Sequence, residues 1–204
     1  APFNSKLPNT NWPLGCTTIA AGQLMKYYKI PASYSWSAMP SNTSNDTLAS
    51  FLKELHDRIG VDSSGGATIN EAKSALESYG YTVTKQTHNN TNVITSLNNN
   101  KPVFMSGFCS TTGDGHAWVC DGYRYTVPRT EYRLFVIPIW QNPITSLEEI
   151  DSEIITNTSY LIYNRMNWGW GGNHNGYYYD PNIYINRTDN IHDFDINRKN
   201  LLFN

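Results

Sequence analysis

Hydrophobic residues in the first part of the chain recur three and four positions apart, a spacing that predicts helices. The helices predicted in this way cover residues 17–29, 47–59 and 70–79. Pro31 ends the first, while Asn70 is the expected N-cap of the third and Gly80 follows its last turn. We expect these segments to form a helical lobe over about residues 15–80.

Beyond the third helix the hydrophobic period changes to two, which predicts strands. The expected strands are residues 81–85, 102–108, 117–125 and 177–185, with others between 129 and 165 and a short helix over 93–98. Helices first and antiparallel strands later are typical of an α+β fold with two segregated lobes. We therefore expect a single domain over residues 1–204, with a β lobe from about residue 81.

The composition is typical of a globular protein, and it argues against some classes of binding partner. Of the 204 residues, 39% are hydrophobic and 13% aromatic, enough for a sizeable core. Fifteen Lys and Arg against 17 Asp and Glu give a net charge of -2, without basic runs, which argues against nucleic acid and anionic membranes as partners. The longest apolar stretch, residues 134–140, is too short to span a membrane.

Cys16 follows Gly15 at the predicted start of the first helix. Unpaired backbone N–H groups and the positive end of the helix dipole favour a thiolate at such a position. The N–H of Cys16 can then donate to an oxyanion when a carbonyl is attacked. The position alone leaves open a buried, inert cysteine.

His116 follows Gly115 where a strand is expected to begin, just beyond a glycine-rich turn. A histidine at that point is accessible and can face a cleft, although a surface or core histidine remains an alternative. The other histidines lack this setting and are expected to be structural; they are His56, His88, His174 and His192.

A third motif, residues 167–172, places two tryptophans among glycines after Asn167. Glycines let an indole approach another side chain closely, and an Asn amide can accept from an imidazole N–H and fix its tautomer. On its own, the motif is equally compatible with a tryptophan-rich corner of the core.

The chain order cysteine, histidine, then an Asn/Trp motif is typical of papain-like cysteine peptidases. Five segments, in order, resemble one branch of these enzymes, the streptopain family: residues 15–31, 34–40, 60–67, 115–123 and 167–172. The resemblance implies a secreted bacterial endopeptidase with a two-lobed papain-like fold. It also implies synthesis as a proenzyme with an N-terminal propeptide, and polypeptides as substrates.

The resemblance also implies roles for individual residues. Cys16 would be the nucleophile, and His116 the general base and acid of an acyl-enzyme mechanism that needs no metal or cofactor. Trp168 would pack on the imidazole and hold it, with Asn167 as a further family position.

Glycines are the expected contacts for an extended peptide substrate. The candidates are Gly65, Gly66 and Gly115. By resemblance, the loop over residues 63–67 would help line a pocket for a hydrophobic side chain of the substrate.

Two features depart from the family pattern. The family has an oxyanion-hole glutamine just before a Pro-aromatic-Asn motif, which here is residues 2–4, so we expect that glutamine to precede residue 1. Residues 126–159 are the second departure, because they form an insertion between His116 and Asn167. This insertion is either a long β-hairpin that decorates the fold or a flap that gates the cleft or grips the propeptide.

Several alternatives stay open at this point. Cys109 and Cys120 could form a disulfide across a hairpin, and with His116 they could suggest a metal site that lacks a fourth ligand. The same thiol chemistry could serve acyl transfer to an amine. The chain could also be a non-catalytic or latent binding scaffold derived from a peptidase.

Overall fold

The computed structural model describes residues 2–7, 12–41, 43–136, 148–156, 160–186 and 191–204. These residues form an α+β fold, as the sequence predicted. The helices are α1 (Cys16–Tyr28), α2 (Asp46–Ile59), α3 (Ile69–Ser78) and α4 (Asn90–Asn98), with single 3-10 turns at Pro2–Asn4 and Trp36–Ala38. The first three predictions are confirmed to within one residue at each end. No described helix is long and apolar enough to cross a membrane.

The cap expected for α3 is wrong. Its N-cap is Thr68, whose hydroxyl accepts from the N–H of Glu71 while the Glu71 carboxylate accepts from the N–H of Thr68. This reciprocal pair satisfies two backbone donors at once, which a cap at Asn70 would not do. The Asn70 side chain accepts instead from Lys85, at 2.6 Å.

The described part of the chain also forms an antiparallel sheet of six strands, of which the first precedes α4 and the others follow it. Its strands are β1 (Val83–Thr87), β2 (Val103–Phe108), β3 (Gly115–Thr126), β6 (Leu161–Asn167), β7 (Gly176–Tyr179) and β10 (Ile196–Phe203), in the spatial order β1-β10-β2-β3-β6-β7. The pairs β4 (Arg129–Val136) with β5 (Glu148–Thr156) and β8 (Ile185–Asn186) with β9 (Ile191–His192) stand outside it. The strand expected over 177–185 is wrong beyond Tyr179, where the chain turns and the N–H of Asn182 donates to the Tyr179 carbonyl.

Strand β3 separates the two hydrophobic clusters of the core. Because successive side chains of a strand point to opposite faces, Ala117 and Val119 pack with α1, α2 and α3, while Trp118 and Cys120 pack on the other face. Helix α1 lies against β3, so the start of the helix and the start of the strand are brought to one region of the surface.

The register of β2 and β3 excludes the disulfide. Cys120 pairs with Val103 at one end of the hairpin, while Cys109 lies past Phe108 at the other end. Several residues of extended strand separate the two thiols, far beyond the reach of an S–S bond. None of the three cysteines forms a disulfide.

The insertion contains a β-hairpin formed by β4 and β5, which pair with each other from Arg129 opposite Thr156 to Val136 opposite Glu148. Tyr132 is 57% exposed on β4. The remainder of the apolar run in this insertion, including Trp140, lies outside the described residues. The role of a flap stays a hypothesis.

Candidate active site

Cys16 is the first residue of α1, and Gly15 is its N-cap with φ of +80°. A Cβ on Gly15 would stand 2.5 Å from the carbonyl oxygen of Gly65, so the residue before the cysteine has to be glycine. Because glycine has no side chain to accept from the helix, the first N–H groups of α1 receive no side-chain cap. Cys16 itself is half-buried and reachable.

The loop beside Gly15 is organised by one carboxylate. Asp62 Oδ1 accepts from the backbone N–H groups of Ser64, at 2.8 Å, and Gly66, at 2.9 Å. The hydroxyl and backbone of Ser64 and the backbone of Gly66 thereby hold the pKa of Asp62 below its ordinary value. Gly65 packs on Pro13, where a Cβ would stand 2.6 Å from Cγ. Gly65 and Gly66 therefore support the rim of the site rather than line it.

Cys16 and His116 line one cleft of about 350 Å³. The other lining residues are Phe3, Asn4, Pro13, Leu14, Gly15, Ile19, Trp168, Gly169 and Trp170. Gly115, the third glycine predicted to contact substrate, lies next to His116 but is exposed and pairs with Phe108 across the sheet. The structure thus brings the two side chains predicted to be catalytic to a mostly apolar cleft and leaves the three glycines around it.

The imidazole of His116 is held by a backbone group. Its Nε2 lies 3.0 Å from the carbonyl oxygen of Trp168. Since a carbonyl only accepts hydrogen bonds, Nε2 carries a proton, and in the neutral imidazole Nδ1 is then the nitrogen able to take up another. The Trp168 peptide is fixed in turn, because its N–H donates to Asn175 Oδ1 at 3.0 Å.

The indoles of Trp168 and Trp170 both lie close to this imidazole. The sequence did not indicate which of the two is nearer. The Trp170 ring is nearer, with its centroid 4.8 Å from that of His116 and an interplanar angle of 36°. The Trp168 ring is 6.0 Å away at 29° and almost fully buried. Trp168 therefore contributes chiefly its carbonyl, and Trp170 provides the closer aromatic wall.

The side chain of Asn167 also stabilises the segment that carries the Trp168 carbonyl. Its Oδ1 accepts from the N–H of Gly169 at 3.2 Å and from Gln23 Nε2 on α1 at 3.3 Å. The sequence indicated Asn167 as a candidate partner of the imidazole, but it did not indicate the contributions of Trp170, Asn175 and Gln23. The alternation of tryptophan and glycine over residues 167–172 was the signal for Trp170, whereas nothing local marked Asn175.

The other two cysteines have no part in the cleft. Cys109 and Cys120 are both buried, and burial raises the pKa of the Cys120 thiol to about 12. Within the described ranges, no three histidine, cysteine or acidic side chains cluster in a way that could hold a metal ion.

Part of the chain matches a known protein family. The model of the Peptidase C10 family matches residues 32–178, which is more than half of the chain. The matched region includes His116 and the 167–172 motif, whereas Cys16 precedes it. No curated protein matches the chain.

Proposed function

Because the chain belongs to the Peptidase C10 family, the streptopain family, and is thus a peptidase of papain-like fold, we propose that it is a cysteine endopeptidase with Cys16 as nucleophile and His116 as general base and acid. One observation carries this proposal. Cys16 at the start of α1 and a His116 whose Nε2 is engaged by a carbonyl line the same cleft. That is the arrangement needed for an activated thiol beside a proton carrier.

Acylation begins with a thiolate at Cys16 and a proton on Nδ1 of His116. The sulfur forms a bond to the peptide carbonyl carbon, and the carbonyl electron pair moves to oxygen. The resulting oxyanion accepts hydrogen bonds from N–H groups at the start of α1, with that of Cys16 the nearest in sequence. The C–N bond then breaks, and Nδ1 of His116 gives its proton to the leaving amine.

Deacylation reverses the role of His116. Nδ1 takes a proton from water as the water oxygen attacks the thioester carbon. The C–S bond breaks, the new carboxyl product leaves, and Cys16 returns to the thiolate facing a protonated imidazole. Nε2 keeps its proton throughout, because the Trp168 carbonyl only accepts.

The cleft favours extended segments with hydrophobic side chains. Phe3, Leu14 and Ile19 supply apolar wall next to the nucleophile. The loop of residues 63–67, held by Asp62, lies beside Gly15 at the rim of the cleft, where it would contact a hydrophobic substrate residue that extends beyond the lining. The proposal includes secretion and synthesis with a propeptide, both supported by family resemblance.

The test combines cleavage with active-site labelling. An unrelated denatured protein serves as the substrate. It is incubated separately with the wild-type peptidase candidate and with its C16A, H116A and C109A variants. Mass spectrometry then identifies cleaved bonds and the cysteine that reacts with a thiol-directed epoxide. We expect cleavage and labelling of Cys16 in the wild type and in C109A, which changes a buried thiol outside the cleft. Both should be lost in C16A, and cleavage should be lost in H116A.

Two results would overturn this function. Absence of both cleavage and Cys16 labelling in the wild type would identify a binding scaffold. Incorporation of an added amine without new peptide termini would identify an acyl transferase.

A further inference from the structure

Gln23 links the helix that carries the nucleophile to the segment that holds the imidazole. It lies two turns beyond Cys16 on α1, and its Nε2 donates to Asn167 Oδ1 at 3.3 Å. The same oxygen accepts from the N–H of Gly169, next to the carbonyl that binds His116. Two hydrogen bonds therefore connect α1 to the acceptor of the imidazole.

The orientation of both amides follows from one backbone group. The Gly169 N–H can only donate, so the Asn167 atom that faces it is the oxygen. Because Gln23 faces that same oxygen, Gln23 has to present its NH2 group. The arrangement leaves Gln23 Oε1 buried with no hydrogen-bond partner among the described residues.

A buried carbonyl without a partner is unfavourable for folding. Stability alone would favour an apolar side chain of the same shape at position 23. The hydrogen bond from Gln23 Nε2 to Asn167 gives a reason for glutamine at this position in spite of its buried carbonyl.

The packing of Gly169 shows that α1 and this segment fit closely. Gly169 has φ of +76°, and a Cβ on it would stand 2.9 Å from Ile19 Cγ2 on the same face of α1 as Gln23. The direction of the preceding Trp168 carbonyl depends on this backbone conformation. A shift of the segment relative to α1 would therefore move the acceptor of His116 relative to Cys16.

We propose that Gln23 is a positioning residue of the active site, which acts through Asn167 to hold the Trp168 carbonyl against His116 Nε2. This inference rests on the proposed function for its catalytic consequence. Its structural consequence, the proton position on His116, can be measured whether or not the protein cleaves peptides.

The test uses two substitutions at one position and a matched control. Q23M keeps the length of the side chain and removes both the donor and the unpartnered carbonyl. Q23E keeps the shape, but an ionised carboxylate cannot donate to Asn167. K26M is the control, because Lys26 lies one turn further along α1 and donates to the Met39 carbonyl and to Ser41, away from the cleft.

The first readout is the ¹⁵N spectrum of the His116 imidazole, recorded with C16A added to every protein compared and at a pH above the titration of the ring, because a thiolate at Cys16 would keep both ring nitrogens protonated. We expect the Nε2–H tautomer with Gln23 in place and in K26M, and an admixture of the Nδ1–H tautomer in Q23M and Q23E. Q23M should keep the wild-type melting temperature, which separates positioning from folding.

The second readout is peptide cleavage. Misplacement of a catalytic group by about 1 Å costs on the order of 100-fold, so we expect kcat of Q23M to fall about 10- to 100-fold with little change in KM. The double variant Q23M/N167A should be no slower than N167A alone, because both changes break one connection.

A Q23M variant with the wild-type tautomer would overturn the positioning role, and so would additive effects in the double variant. These outcomes differ from failure of the proposed function, in which the wild type itself would neither cleave peptides nor label at Cys16. In that event the tautomer still decides the role of Gln23.

Discussion

His116 Nε2 lies 3.0 Å from the backbone carbonyl oxygen of Trp168, and this contact places a proton on Nε2 because a carbonyl can only accept. A backbone acceptor cannot be removed by substitution of the residue that carries it. The orientation of the histidine therefore depends on the conformation of residues 167–175, which Asn167 and Asn175 hold through their amide oxygens.

The two tryptophans of this segment should respond differently to truncation. Trp168 is 1% exposed in the core, so W168A should lower the free energy of unfolding by about 3–5 kcal/mol. Trp170 is half-buried over the imidazole, so W170A should fold with a smaller loss and reduce kcat by about tenfold. Urea unfolding and steady-state kinetics on the pair test this. A W170A variant with wild-type kcat would contradict the role of Trp170.

Gly15 should not tolerate a methyl group. In G15A the new Cβ meets the Gly65 carbonyl at 2.5 Å in addition to the strain of a positive φ, which itself costs about 1–3 kcal/mol. The matched control is G60A, since Gly60 has nearly the same φ, +79°, but nothing within 4 Å of its Cβ position. We expect G60A to lose stability alone, and G15A to lose more stability and to slow the alkylation of Cys16. Equal effects of the two variants would show that the contact with Gly65 is unimportant.

The Asp62 loop should depend on pH in a defined direction. Hydrogen bonds from Ser64 and Gly66 lower the pKa of Asp62, so its contribution to stability is complete above the ordinary Asp pKa of about 3.9 and is lost as pH falls through the lowered value. D62A should therefore melt below the wild type at pH 7, with a difference that shrinks in acid. S63A, in the same loop, should show no such pattern. A pH-independent difference for D62A would contradict this account.

A buried charge cluster away from the cleft gives a further prediction. Asp180 Oδ1 accepts from His88 at 2.9 Å, Asn164 at 2.8 Å and Arg198 at 3.4 Å. Burial raises the pKa of Asp180, but the facing His88 and Arg198 outweigh burial and hold that pKa below its ordinary value.

Removal of the Asp180 charge leaves two buried bases without their partner, so D180N should destabilise the fold by about 3–5 kcal/mol at pH 7. An Asp whose pKa is lowered by folding stabilises the fold above its ordinary pKa of about 3.9 and loses this contribution as it is protonated in acid. The difference in free energy of unfolding between D180N and the wild type should therefore narrow as the pH falls below this value. Urea titrations at pH 7 and in acid measure it. A difference that widens in acid would contradict the assignment.

The helices were predictable because each buries one face at regular spacing, as α2 does with Leu48, Phe51, Leu52 and Leu55. Strand β10 was missed because its polar run of Asn197, Arg198, Lys199 and Asn200 shows no alternation. The strand is nevertheless central to the sheet, where Asn200 is buried and faces His88. Burial of such side chains is decided by partners that are distant in sequence.

The site was predictable in its residue types but not in its contacts. Local sequence marks Cys16 at a helix start and His116 after a glycine. The imidazole contacts the carbonyl of Trp168 and the ring of Trp170. This arrangement depends on the backbone at Gly169, where φ is +76°. That conformation depends in turn on contacts to Ile19 and Asn167 that only the folded chain brings together.

The most direct test of the central claim is the pH dependence of Cys16 alkylation by iodoacetamide, in the wild type and in H116A. We predict rapid alkylation that persists well below pH 7, because the thiolate is stabilised by the protonated imidazole. In H116A the profile should move towards that of an ordinary thiol, which titrates near pH 8.5. A slow profile that does not respond to H116A would show that Cys16 and His116 do not act as a pair.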